Sequence, residues 1–153
     1  MEILELRDDP GWQTEKKMLH YGTFNANPLS AAAGIAMLKQ ISDGRAIEIA
    51  NKRAAQLRTQ QAEVLKSNCM DGWRDYGSFA GFKIVPAGTA AADRRGDASL
   101  LHALRQAMLL NGIDFMGVDG LTSAVHTIED VERTAEAFDG AISLLKHDGI
   151  IPS

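Results

Sequence analysis

The chain has 153 residues, of which 45% are hydrophobic and 24% are charged, and its formal net charge is −4 at pH 7. This length and composition predict one globular domain with a substantial core, and they exclude a fibrous or disordered chain. The acidic balance excludes the concentrated positive charge that nucleic-acid binding requires.

Residues 1–19 carry mixed charges. Residues 1–6 are compatible with one or two helical turns, which the sequence Asp8-Asp9-Pro10-Gly11 interrupts. Lys16 and Lys17 lie in a polar stretch that is expected to be exposed. Neither suits a nucleophilic lysine, since such a lysine needs a desolvated pocket that lowers its pKa.

A polar loop of small residues, 20–26, leads into a helix predicted over 28–41. Asn27 is a favoured N-cap, and the proline after it suits the first helical position. A helix start offers free amide donors and the positive end of the helix dipole, and Gly22 and Thr23 lie just before it. These features suit a phosphate or carboxylate, but most capped helix starts bind no ligand, so the residues alone leave both interpretations open.

A second amphipathic helix follows and closes over 68–72. Its inward face is predicted from residues that recur at steps of three and four: Ile47, Ala50, Ala54, Leu57, Gln61 and Val64.

Aromatic and β-branched residues predict strands over 73–76 and 79–85, which Pro86 stops. Residues 86–97 have no apolar period and are interpreted as a loop. Three side chains are expected to share one face of the strands: Tyr76, Phe82 and Ile84.

Asp97 is predicted to cap a helix that runs to Leu110, with Leu101, Leu104 and Met108 inward. Asn111-Gly112 supplies a left-handed stop. Two short strands are then predicted, over 113–116 and 121–125.

The last helix has the clearest local signal in the chain. Thr127 to Asp130 fits a capping box, and Gly149 ends the helix. One apolar face follows the helical period: Ile128, Val131, Ala135, Phe138, Ile142 and Leu145. The order of elements predicts an α+β fold, in which helices pack on one face of a small antiparallel sheet.

Two stretches resemble a known family. His-x-Gly-Thr-Phe-x-x-Asn-Pro-Leu at His20 to Leu29, followed by an alanine-rich helix, resembles the class III aminotransferases, which use pyridoxal phosphate. It is most similar to the glutamate-1-semialdehyde 2,1-aminomutase branch. The tail extends the match through Asn111-Gly112, the Ser-Ala-x-His-Thr sequence Ser123 to Thr127, and Ile128 to Val131.

The resemblance implies the C-terminal third of such an enzyme: residues 1–28 would be a strip of the large cofactor domain, and 29–153 the small C-terminal domain of a fold-type I pyridoxal-phosphate enzyme. It implies a homodimer in which Gly22 and Thr23 bind the phosphate of the partner subunit's cofactor. The Schiff-base lysine would lie upstream of residue 1, so no catalytic residue is assigned in this chain. The substrate implied is an amino acid or an amino aldehyde.

One position departs from the family pattern. The aminomutase branch is expected to carry an active-site glutamate shortly before the Ser-x-x-His-Thr strand, where this chain has Val118 or Asp119. Asp119 either substitutes for that glutamate or is a turn residue between Gly117 and Gly120, and aspartate favours turns.

Other chemistries find no support in the sequence. The four histidines, His20, His102, His126 and His147, show no metal-ligand spacing, and no serine has an evident triad partner. His126 is interpreted as a packing or capping residue. His20 either borders the phosphate loop or is structural. Cys69 is the only cysteine, which excludes an intramolecular disulfide.

Two hypotheses about function remain. In the first, the chain is part of a pyridoxal-phosphate enzyme of the aminotransferase or aminomutase type, without the catalytic lysine. In the second, it is a non-catalytic truncated module that acts in dimerisation or binding. Because the sequence shows neither a signal peptide nor a membrane span, a cytoplasmic location is predicted, with no membrane and no nucleic acid among its partners.

Overall fold

The structure is a computed structural model, and it describes residues 2, 5, 7–18, 22, 27–87, 98–115 and 119–152. The chain divides into two compact units, Met1–Ser42 and Asp43–Ser153. The division of the chain at residue 28 into a large-domain strip and a small domain stays a prediction.

The first unit contains a π-helical turn, Trp12–Lys16, and helix α1, Pro28–Ile41. The guanidinium of Arg7 lies 3.9 Å from the centre of the Trp12 ring, and the Trp12 indole donates a hydrogen bond to the carbonyl of Glu5 (2.9 Å). The helix predicted over 28–41 is confirmed at both ends. None of its residues is buried.

The described residues of the second unit form three helices and three strands. In chain order they are α2 (Arg45–Ser67), β1 (Arg74–Tyr76), β2 (Gly81–Val85), α3 (Ala98–Leu110), β3 (Asp119–Leu121) and α4 (Ile128–His147). The predicted cap Asp97 lies outside the described residues. Gly112 adopts a positive φ of 85°, which confirms the predicted left-handed stop of α3. Gly149, which was predicted to end α4, has a positive φ of 66°.

The three strands form one antiparallel sheet in the order β1-β2-β3. Asp75 lies opposite Ile84, and Tyr76 lies opposite Lys83. Because directly opposed residues point to the same face of a sheet, Tyr76 does not share the face of Ile84, and the side chain of Tyr76 is 44% exposed. The predicted shared face was therefore wrong at Tyr76, and Asp75 takes that place.

Strand boundaries also differ from the prediction. β2 begins at Gly81 rather than Phe79, because residues 78–81 form a turn in which the Gly81 N–H donates to the Ser78 carbonyl (3.1 Å). Residues 113–115 are not a strand, since the Ile113 N–H turns back to the Met108 carbonyl (3.1 Å).

The strand predicted over 121–125 is displaced as well. β3 covers 119–121, and after it the Thr122 N–H donates to the Ala80 carbonyl (2.8 Å). The Ser123 N–H then donates to the ring of His126 (2.9 Å), so the chain folds into a turn instead of extending the sheet.

The core lies where α2 packs on β1, β2 and α4, and where α4 also packs on α3. Its centre is formed by side chains with no exposed area: Ile84, Leu104, Met108, Phe138 and Ile142. The rings of Phe82 and Phe115 add an edge-to-face pair with centroids 5.2 Å apart. The apolar faces predicted for α2 and α4 are buried or half-buried except at the first residue of each. Ile47 on α2 is 53% exposed, and Ile128 on α4 is 46% exposed.

Helices packed with a small antiparallel sheet confirm the predicted α+β class. None of the helices in the described part of the chain combines the length and the apolar character that crossing a membrane requires.

Candidate functional site

The start of α1 was expected to present free amide donors to an anion. In the structure the side-chain oxygen of Asn27 accepts hydrogen bonds from the N–H groups of Leu29 (2.9 Å) and Ser30 (3.1 Å). The Ala31 N–H donates to the carbonyl of Asn27 (3.0 Å), and Pro28 has no N–H. The cap thus occupies every amide of the first turn, and the expectation of free donors was wrong.

Any anion contact in this segment therefore depends on the loop before the helix. Gly22 is described and exposed. Thr23 and His20 lie outside the described residues, so the predicted role of each stays a prediction.

The two lysines that precede this loop in the sequence differ in exposure. Lys16 ends the π-helical turn and is exposed, and Lys17, the next residue, is half-buried. A nucleophilic lysine needs desolvation to lose its proton near neutral pH, and Lys16 lacks it.

A cavity of about 540 Å³ opens in the second unit, beside the end of α3, β3 and the start of α4. Its apolar lining includes Leu57, Phe82, Ile113, Phe115, Leu121 and Val131. Its polar lining includes Asp114, Asp119, His126, Asp130 and Arg133. An apolar cavity with a few polar groups is the usual form of a small-molecule site.

Asp119, the residue considered as a substitute for the family glutamate, lies at this cavity. It is neither in a turn nor buried: it begins β3, and its carboxylate is 3.9 Å from the Nζ of Lys83, its partner across the sheet. The interpretation of Asp119 as a turn residue was wrong, because cross-strand pairing with Lys83 outweighs the turn preference of aspartate. Val118 lies outside the described residues.

The other two carboxylates of the lining are also engaged. Asp114 accepts two hydrogen bonds from Arg105, at 2.9 Å and 3.1 Å, which lower the pKa of Asp114 and raise that of Arg105. Asp130 accepts from the Thr127 N–H (2.8 Å), and this bond holds the pKa of Asp130 low, with help from the Thr127 hydroxyl. Both groups are therefore ionised and hydrogen-bonded at neutral pH, which makes them poor proton donors.

His126 is held by its own loop. Its Nδ1 accepts from the Ser123 N–H (2.9 Å), which assigns the proton of the neutral ring to Nε2, and its carbonyl accepts from Arg53 (3.0 Å). The ring shapes the turn that leads into α4, but the N-cap of the helix is Thr127, so the interpretation of His126 as a capping residue was wrong.

Sequence reasoning missed the Arg105–Asp114 pair and the cavity. The two residues flank the Asn111-Gly112 stop, and only the reversal of the chain at Gly112 brings their side chains together. Within the described ranges, no group of three or more His, Cys, Asp or Glu side chains is placed to hold a metal ion.

Comparison with solved structures shows which class of protein this fold resembles. A structure titled "Transaminase with PLP bound" superposes with a TM-score of 0.72 and 28% sequence identity, over 94% of this chain and 33% of that one. No family model matches the chain. The chain is thus similar in fold and sequence to one third of a transaminase.

The curated relatives are more specific. A glutamate-1-semialdehyde 2,1-aminomutase from Pyrobaculum islandicum is 28% identical over 143 residues, and one from Sulfurisphaera tokodaii is 31% identical over 137 residues. These matches cover 82% and 84% of this chain but 31% and 32% of the relatives. The predicted resemblance to the class III aminotransferases and their aminomutase branch is confirmed, and the chain spans about a third of the length of the relatives it matches.

Proposed function

We propose that this chain supplies one third of a pyridoxal-phosphate-dependent enzyme of the class III aminotransferase or glutamate-1-semialdehyde aminomutase type. The proposal rests on one observation: more than four fifths of this chain is similar to a stretch that makes up about a third of such enzymes. The assembly proposed is a homodimer, and the substrate is an amino acid or amino aldehyde.

The role of this chain in that site is a phosphate contact across the dimer interface. Gly22 has no Cβ and is exposed, so a phosphate can approach its backbone, and Thr23 carries a hydroxyl donor. The helix start does not take part, since Asn27 already binds its amides. When bound, the cofactor supplies the electron sink for amino-group chemistry.

The lysine that binds the cofactor covalently, called the anchor below, is proposed to lie in the part of the related enzymes that this chain does not match. Lys16 is exposed in the structure, which opposes a nucleophilic role. On this proposal the chain alone does not catalyse amino transfer.

The phosphate contact is tested by amide NMR of the intact chain. Pyridoxal phosphate and inorganic phosphate, at millimolar concentration, should shift the Gly22 and Thr23 amide signals, whereas pyridoxal without phosphate should not. The double variant Gly22→Ala/Thr23→Val should weaken the response by about tenfold. Gly34→Ala is the matched control, because a Cβ at Gly34 meets nothing within 4 Å. An equal response to pyridoxal, or none to phosphate, contradicts the contact.

The missing anchor is tested by borohydride reduction in the presence of pyridoxal phosphate, followed by peptide mass spectrometry. Modification should be low and spread over exposed lysines. Stoichiometric labelling of a single lysine would show that this chain carries its own anchor.

The second candidate is a non-catalytic module for dimerisation or binding. It is favoured by the exposure of four large apolar side chains on α1: Leu29, Ile35, Met37 and Leu38. Self-association without any response to pyridoxal phosphate would favour this candidate over the first.

A further inference from the structure

Asp75 carries a carboxyl group on the buried face of the sheet. It lies opposite Ile84, whose side chain has no exposed area. Both carboxyl oxygens of Asp75 are closed to solvent, and neither has a hydrogen-bond partner among the described residues. The amide of Gln61 on α2 is fully buried and unpaired in the same way. Unpaired buried polar groups are costly, and an ionised carboxylate is the costliest of them.

Burial has a direct consequence for proton binding. It raises the pKa of Asp75 to about 7, against the opposing effects of the Arg58 charge and, to a smaller extent, the Lys83 backbone N–H. Neither of those groups hydrogen-bonds to the carboxyl group in the structure. Asp75 therefore changes charge near neutral pH.

Arg58, on α2, is engaged elsewhere. Its Nη1 donates to the carbonyl of Gly81 (2.6 Å) and approaches that of Phe79 (3.5 Å), at the turn that joins β1 to β2. Phe79 has a φ of +54° and is 80% exposed. A bulky side chain disfavours that backbone conformation, so the turn is strained and relies on its contacts, which include the bond from Arg58 to Gly81.

We propose that Arg58 acts as a two-position latch on this turn. While Asp75 is protonated, the guanidinium holds the carbonyls of Phe79 and Gly81. When Asp75 gives its proton to solvent, the unpaired carboxylate attracts the guanidinium, which leaves the turn and pairs with Asp75. The turn with Phe79 then opens.

The other charged groups near Asp75 do not replace Arg58 in this exchange. On β2, Lys83 lies opposite Tyr76 and so points to the other face, where it pairs with Asp119. On β1 itself, Arg74 is exposed. On α2, Glu63 lies toward α4, in the groove that also contains Glu132 and Asp139. Among the described residues, Arg58 is the cation that acts on the pKa of Asp75.

NMR of the intact chain between about pH 5 and pH 9 tests the latch. The Asp75 carboxyl ¹³C signal should titrate near neutrality, and the Arg58 side-chain ¹⁵N signals should follow with the same midpoint. Exchange of the Gly81 amide, which is bonded to Ser78 in the closed turn, should rise about tenfold above that midpoint after correction for intrinsic rates.

Two variants separate the latch from a simple buried acid. Asp75→Asn should abolish the pH dependence at Arg58 and Gly81, while Asp71→Asn, at an exposed aspartate of the preceding turn, should preserve it. Arg58→Gln should make Gly81 exchange fast at every pH, and it supplies the test if Asp75→Asn fails to fold. Titration of Asp75 with a static Arg58 and Gly81, or titration of Asp75 near its ordinary range, would overturn the proposal.

Discussion

The ring of Phe82 lies directly against Gly120 on the neighbouring strand. The two residues are partners in the antiparallel pairing of β2 and β3, and a Cβ atom at position 120 would overlap the edge of the ring. Phe82 is almost fully buried and packs edge-to-face on Phe115. Gly120 is therefore required by the ring and not by a positive φ.

Replacement of Gly120 tests this contact. Gly120→Ala should lower the free energy of unfolding by about 1–3 kcal/mol, because Phe82 must leave its packed position. Urea denaturation measures the change. Leu121→Ala, on the same strand but 77% exposed, should change stability far less. If both variants lowered the free energy of unfolding equally, the loss would come from any change in β3 and not from the contact with the Phe82 ring.

A second close approach joins α4 to the end of α3. A Cβ at Gly140 would collide with the side-chain amide of Asn111, which donates to the Ala107 carbonyl (2.9 Å). Gly140→Ala should destabilise the chain, and much of that loss should vanish when Asn111→Ala is already present. A double-mutant cycle should give a coupling of about 0.5–3 kcal/mol. Strict additivity would contradict the contact.

The capping box of α4 gives a third prediction. The Thr127 hydroxyl accepts from the Asp130 N–H (3.2 Å), so Thr127→Ala should cost about 1 kcal/mol while Thr127→Ser should cost much less. Thermal or urea unfolding measures both. A loss with serine as large as that with alanine would assign the effect to the threonine methyl group.

The same box predicts a pH effect at Asp130. Its folded pKa is lowered by the Thr127 N–H, so the stability it provides is present above its unfolded pKa and is lost as pH falls through the folded pKa. Asp130→Asn should therefore destabilise the chain at neutral pH and differ little from the unchanged protein in acid. A deficit that persists in acid would point to a role other than charge.

The features that the sequence predicted well are local ones. The caps of α1 and α4 depend on residues within four positions of each other, such as Asn27 with Ser30 and Thr127 with Asp130. A strand boundary depends instead on a partner far away in sequence. For that reason the faces of Tyr76 and Asp75 became known only from the pairing with β2.

In the candidate site, too, the local features could be predicted from the sequence, and those that depend on distant residues could not. The motif around Gly22 could be recognised from the sequence because it is continuous, and its predicted phosphate contact still awaits experiment. The free amides expected at α1 could not be excluded beforehand, since an asparagine cap binds either its own helix or nothing, depending on its rotamer. The ion pair of Asp119 with Lys83 needed the register of β2 and β3.

Global stability should respond to the buried carboxyl group of Asp75 whether or not Arg58 moves. Its folded pKa is raised, so its contribution is fully present below the unfolded pKa, near 4, and is lost as pH rises through about 7. Allowing for solvent screening, the loss should be about 1–2 kcal/mol. Asp75→Asn should remove this pH dependence, and exposed Asp71→Asn should retain it. Flat stability between about pH 4 and pH 8 in the unchanged protein would contradict burial of an unpaired carboxyl group.

The apolar side chains of α1 predict self-association. Leu29 is 79% exposed and Leu38 is 62% exposed, and none of the helix is buried. Apolar groups concentrated on one exposed element favour contact with a second apolar surface. Sedimentation at tens of micromolar should show dimers or larger species, and Ile35→Ser/Leu38→Ser should shift the population toward monomer. Lys39→Ser, on the same helix, is the control for lost helix propensity. A monodisperse monomer would remove the support that α1 gives to the dimerisation candidate.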